Sequence, residues 1–142
     1  MSMDRREALT TVRMKVAGIE FHVHDVPAER VEDRTYTTGE TTERICLLVA
    51  HELAKLGITD GIAFKFMRKA AKFTAVRLAE ELDVSPTTVS NWETGETPVP
   101  RAVWGVIADE IAEQLGHHGT AISRMEAARH PRRPKGVVEL TA

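Results

Sequence analysis

The feature that most constrains this chain is Ser85-Pro86, set just after one short apolar helical stretch and just before another. A serine at N-cap accepts a hydrogen bond from a backbone N–H that the helix leaves free. Proline at the first helical position lacks an N–H that would have had no partner there. The pair therefore marks a helix start, and the helix carries Val89 and Trp92 inward before Thr94-Gly95 ends it. Upstream, Thr74 suits the N-cap of a short helix from Ala75 to Leu82, with Leu78, Ala79 and Leu82 on its buried side. Two short helices, 75–82 and 86–93, thus meet across a three-residue turn.

That spacing is the one a helix-turn-helix requires. The first helix must be short and must offer its N-terminus to a phosphate, where free N–H groups and the helix dipole attract an anion. Ala79 is small enough for the helices to cross closely, and Asp83 tolerates the left-handed geometry that the turn demands. Val84 and Val89 fill the angle between them. The outward residues of the second helix, Thr87, Thr88, Ser90 and Asn91, are short and polar and fit to meet base edges. Ser85, Thr74 and Thr94 sit at helix ends, where hydroxyls and N–H groups suit phosphates. Lys69, Lys72 and Arg77 belong to a basic stripe, Lys65, Arg68, Lys69, Lys72 and Arg77, that precedes the first acid at Glu80.

From Phe73 to Gly95 the chain resembles the Cro/repressor (XRE) helix-turn-helix family, with Leu78-Ala79, Val84-Ser85, Val89-Ser90 and Trp92-Glu93-Thr94-Gly95 in register. The resemblance covers roughly 62–116. It implies operator binding, most often as a repressor and as a dimer on an inverted repeat of double-stranded DNA. Ala75 stands where the family usually has a phosphate-contacting Gln, and Asp83 where it usually has Gly.

Around this segment the pattern changes. Residues 1–10 read as frayed and polar. Thr11 to Val26 alternate, with Val12, Met14, Val16, Ile19, Phe21 and Val23 on one face, which predicts a half-buried hairpin broken at Gly18. Residues 27–38 read as charged and turn-like. Thr37-Thr-Gly-Glu40 has capping-box spacing and opens a helix to about Leu56, with Ile45, Leu48, Val49, Leu53 and Leu56 on one face and Gly57 as its stop. A further helix from about Ile62 is expected to bury Ile62, Phe66, Ala70 and Phe73 opposite the basic stripe. After the Pro98–Pro100 corner, Arg101 to Leu115 should form another, with Val103, Ile107, Ile111 and Leu115 inward. Trp104 flanks that stripe and fits either the core or a dimer contact. The basic, proline-interrupted end reads as a mobile arm.

The N-terminal half, from Gly18-Ile-Glu-Phe-His-Val-His-Asp-Val-Pro-Ala-Glu to Tyr36-Thr-Thr-Gly-Glu and a helix, is similar to MqsA-type antitoxins. Those fuse a small zinc-binding domain to the same helix-turn-helix. Their zinc ligands are two cysteine pairs. This chain has one cysteine, Cys46, with Val31 and Asp33 or Arg34 about where the second pair would fall, so neither metal nor other cofactor is expected. The resemblance implies an autoregulating antitoxin with a cognate toxin as a further partner.

The net charge of −2 is unlike that of a typical nucleic-acid binder, but its distribution is uneven: 62–116 begins with the basic stripe. No apolar run approaches a membrane span and no signal peptide is evident, so a cytoplasmic protein is expected. His22 and His24 on one strand face, and His117-His118 at a helix end, read as solvated or capping. Cys46 reads as a small buried filler. No nucleophile–base pair, glycine-rich phosphate loop or paired carboxylates stand at a recognisable spacing, so no enzyme is expected. The expected chain is α+β: a degenerate zinc-finger-like hairpin and helix at 11–58, an all-α helix-turn-helix domain at 62–116 and a flexible tail at 117–142. Two alternatives are a toxin-neutralising module acting by protein binding and a ligand-responsive regulator.

Overall fold

A computed structural model describes residues 5–142, in an α+β arrangement of a four-stranded sheet and six helices. Strands β1 (Arg5–Val16) and β2 (Ile19–Val31) form a long antiparallel hairpin, turning at Ala17 and Gly18, both with positive φ. The short β3 (Arg34–Tyr36) pairs with the end of β2. The hairpin is longer than the alternation predicted. Arg5 to Thr10, expected to be frayed, is strand; residues 1–4 of that expectation lie outside the described residues. The charged 27–38 segment, expected as turns, continues β2 to Val31 and supplies β3. Cross-strand hydrogen bonding does not need apolar side chains on both faces, so polar residues there hid the strand from a hydrophobicity reading.

Helix α1 (Gly39–Leu56) starts one residue later than the capping box predicts. Thr38 is its N-cap and accepts from Thr41 N at 3.1 Å. Gly57 closes it at φ 72°, and a Cβ there would lie 2.1 Å from Ala127 O. Four helices follow: α2 (Gly61–Ala70), α3 (Ala75–Leu82), α4 (Pro86–Thr94) and α5 (Arg101–Gln114). Val16, Ile19, Phe21, Val23 and Val26 cover α1, whose Ile45, Val49 and Leu53 lead on to Phe64, Met67, Val89, Ile107 and Ile111 in one continuous core. Trp104 belongs to that core: it is fully buried and its indole N–H donates to Ile58 O at 3.0 Å.

The buried side of α2 differs from the expectation. Ile62 is 66% exposed, while Ala63, Phe64, Met67 and Ala70 are buried and Phe66 and Phe73 half-buried. The helix packs on both α1 and α4, so its buried arc is wider than a single stripe and rotated from the predicted one.

The largest departure is at the C-terminus. The expected mobile arm instead carries α6 (Ala121–Arg129), packed on α5 and α1, and β4 (Val138–Thr141), parallel to β2 with Phe21 opposite Val138 and Val23 opposite Leu140. Its arginines hold the chain down: Arg132 N donates to Leu56 O at 2.8 Å, and Arg133 donates to Ala17 O at 2.8 Å and pairs with Asp60. Among the described residues no helix is long and apolar enough to cross a membrane.

Candidate nucleic-acid interface

Local chemistry sets every boundary of the two central helices. Thr74 Oγ1 accepts from Arg77 N at 3.1 Å and opens α3. Asp83 ends it in the left-handed region, φ 55° and ψ 45°, and Val84 N then reaches back to Ala79 O at 2.9 Å. Ser85 Oγ accepts from Thr88 N at 3.2 Å with Pro86 behind it, opening α4, and Gly95 closes it at φ 83°. Leu78, Ala79, Val89 and Trp92 are buried between the helices, with Val84 half-buried beside them.

This packing presents one stripe of α4 outward. Thr87, Ser90 and Thr94 are exposed and Asn91 half-buried, at the i, i+3, i+4, i+7 spacing of a single helix face. Thr88 is turned differently: half-buried, with its hydroxyl 3.0 Å from Ser85 Oγ, it completes the cap rather than the stripe. Thr94 Oγ1 donates weakly to Asn91 O at 3.4 Å. At the head of α3, exposed Thr74 accepts from Arg77 N through its side-chain oxygen. Ala75 beside it is half-buried and has no side-chain donor.

Of the basic stripe, Lys65, Lys69, Lys72 and Arg77 are exposed. Arg77 lies over the Phe73 ring, 4.8 Å from its centroid, which steadies the guanidinium by cation–π attraction. Lys72, with φ 65°, turns the chain between α2 and α3 and pairs with Glu43 of α1 at 2.7 Å. That pair is well exposed on both sides and contributes little, so the ammonium can exchange Glu43 for a phosphate.

Arg68 has left the stripe. It is 6% exposed, and its guanidinium forks onto Glu93 of α4, Nε to Oε2 at 2.6 Å and Nη2 to Oε1 at 3.2 Å, while Nη1 donates to Phe73 O at 2.8 Å. This buried bidentate pair ties α2 to α4 and neutralises an acid enclosed between them. The sequence carried a signal for it: Glu93 lies four residues after the inward Val89, and an acid turned inward requires a cation. Close backbone contact adds to the tie, since a Cβ on Gly61 would lie 2.4 Å from Trp92 O.

The remaining candidates do not join this surface. His22 and His24 face Glu139 of β4: His24 Nε2 bonds its carboxylate, His22 Nδ1 lies 3.7 Å away, and Thr11 Oγ1 is 3.0 Å from His24 Nδ1. The hydrogen bond from His24 holds the Glu139 carboxyl below the usual range. His117 stacks on His51 with centroids 4.8 Å apart, and burial, then His117, lower His51 to about 4. Burial and Glu43 push the half-buried Cys46 thiol up, away from nucleophilic reactivity.

A family model described as a helix-turn-helix domain matches residues 61–110, spanning α2 to most of α5. No curated protein and no solved structure matches the chain. Two capped helices at the right spacing, an outward polar stripe and this match converge on one conclusion: the chain carries a helix-turn-helix domain, which supports a DNA-binding regulator.

Proposed function

We propose that the protein is a sequence-specific DNA-binding repressor that acts as a homodimer on an inverted repeat. The observation that carries the reading is the stripe Thr87, Ser90 and Asn91 on α4, a helix that packs on both α2 and the capped α3, the elements that carry exposed Lys69 and Arg77, with exposed Lys72 between them. Helix α4 would enter the major groove, with Asn91 pairing its amide with adenine N6 and N7. Thr74, Ser85, Thr94 and the three cations would hold phosphates and set the angle of entry. One such helix reads too few base pairs for a unique site, hence the dimer. The role is binding rather than catalysis, in the cytoplasm. The resemblance to MqsA-type antitoxins extends the proposal to autoregulation, with the operator upstream of the protein's own reading frame and a cognate toxin as a partner.

Selection of bound sites from random DNA supplies the operator and tests the repeat. Titrations of variants across a salt series then separate the two kinds of contact. Asn91→Ala should cost about 1–3 kcal/mol on the operator and little on scrambled DNA. Lys72→Ala should weaken both alike and lower the salt slope by about one unit. Equal loss on both DNAs for Asn91→Ala would show that the reading face lies elsewhere.

A further inference from the structure

We infer that the outer edge of β1 is the self-association surface, along which two copies of this chain pair antiparallel and join their sheets. The inference rests on the reading of the protein as a dimer and names the face through which it forms.

Strand β2 is paired on both sides, with β1 along one and β3 and β4 along the other. That leaves β1 outermost. Its 12 residues would span roughly 40 Å, and in the sheet order it pairs with β2 along one side. Sheet edges are usually blunted by proline, by a bulge, by shortness or by charged side chains. This one has no proline, and its outward charges, Glu7, Arg13 and Lys15, are of both signs. The hairpin's one irregularity sets His24 and Asp25 opposite the single Thr11, so the extra residue, with Asp25 at φ 56°, falls on β2 and β1 stays regular.

The side chains supply the occupant. Glu7, Leu9, Thr11, Arg13 and Lys15 point outward, and Ala8, Thr10, Val12 and Met14 toward the core side. A two-fold axis at Thr10 sets Glu7 opposite the partner's Arg13 and Ala8 opposite the partner's Val12. An axis at Thr11 sets Glu7 opposite the partner's Lys15 and Ala8 opposite the partner's Met14. In either register Glu7 meets a cation twice, once on each side of the axis, and Ala8 meets an apolar residue, while Leu9 falls opposite Thr11 or Arg13. A parallel pairing in register would instead bring Glu7 against Glu7 and Arg13 against Arg13. Opposite charges across strands favour pairing and like charges oppose it, so the edge is complementary to itself. A cleft of about 340 Å³ separates its last residues, Met14 to Val16, from Lys65, Phe66 and Lys69 of α2. The paired edge would therefore fix the distance between two α2–α4 units, which a two-site operator requires.

Sedimentation equilibrium of the full chain without DNA, from about 1 to 100 μM, reads the result. The wild type should be a dimer. Arg13→Glu combined with Lys15→Glu should weaken the dimer about tenfold or more, with unchanged circular dichroism showing that the fold persists. Adding Glu7→Lys to that variant should restore it. A wild-type monomer, a dimer indifferent to the double variant, or a triple variant that stays monomeric would each overturn the inference. A monomer that still reads its operator through Asn91 would leave the DNA-binding reading standing. An intact dimer without sequence preference would overturn that reading and leave the edge in place.

Discussion

Between Thr74 and Gly95 each helix boundary is set by a side chain or a left-handed residue at the boundary itself, whereas one edge of β2 is covered by a strand whose Glu139 lies 115 positions from its partner His24. The helical region is a chain of local decisions joined by packing. The sheet is closed by the far end of the polypeptide, pinned on the way by Arg132 and Arg133. A segment built the first way can be recognised from a short window of sequence, while one built the second way cannot.

The sharpest break in that contrast is the Arg68–Glu93 pair, a long-range polar tie inside the local region. Arg68→Ala should cost about 3–5 kcal/mol in urea unfolding, because it leaves a buried carboxylate unpaired. Replacing both partners, Arg68→Met with Glu93→Leu, should return most of that loss. If the single variant costs no more than a surface substitution, the helical region is local throughout.

Removing residues 138–142 tests the other side. It strips half-buried Val138 and Leu140 from the sheet and opens the edge of β2, and should cost about 2 kcal/mol by the same measurement. DNA affinity measured well below the melting temperature should be unchanged. A loss of affinity equal to that of Asn91→Ala would show that the sheet's closure reaches the reading helix.

The joint between α1 and the C-terminal end of α5 should respond to pH. His51 stays neutral in the folded protein down to about 4, held there first by burial and then by His117, Lys55 and Arg124, with Glu52 opposing. Its unfolded value is about 6.5, so between these values the unfolded chain binds more protons and stability falls as pH falls. The full contribution is present above about 6.5 and is lost by about 4. With the ring only half-buried, screening reduces it to roughly 1–2 kcal/mol. His51→Gln should flatten melting temperature against pH over that window. An unchanged slope would assign the acid sensitivity to other groups.

The smallest expected effect belongs to the local caps. Ser85→Ala should cost about 1 kcal/mol, and Ser85→Gly only a few tenths. A much larger loss from alanine would mean that the cap's bond to Thr88 serves the packing of α4 as well as its start.

The two helices of the motif were legible to within one residue because Thr74, Asp83, Ser85-Pro86 and Gly95 act on their own backbone neighbours. The polar stripe of α4 was legible for the same reason: given the helix, the outward positions follow from its period. Thr88 and Arg68 were assigned to the surface because period alone does not reveal that a hydroxyl turns back to Ser85 or that a guanidinium forks onto Glu93. The true face of α2 was hidden because the helix is enclosed from two sides, and Ile62 lost its expected burial to Ala63 and Phe64. Polar strand residues beyond Val26 gave no hydrophobic alternation to read.

What the sequence determined by itself is the helix-turn-helix, since caps, left-handed stops and helical period are short-range and depend on neighbouring residues. What only the tertiary structure decided is the fate of the charges and of the last residues. Whether an arginine lies over the Phe73 ring, forks onto Glu93 or donates to the carbonyl of Ala17, and whether residues 138–141 swing free or complete a sheet, depends on which surfaces lie within a few ångströms once the core has closed. Electrostatic and strand-edge contacts are chosen by that proximity, and no local pattern encodes it.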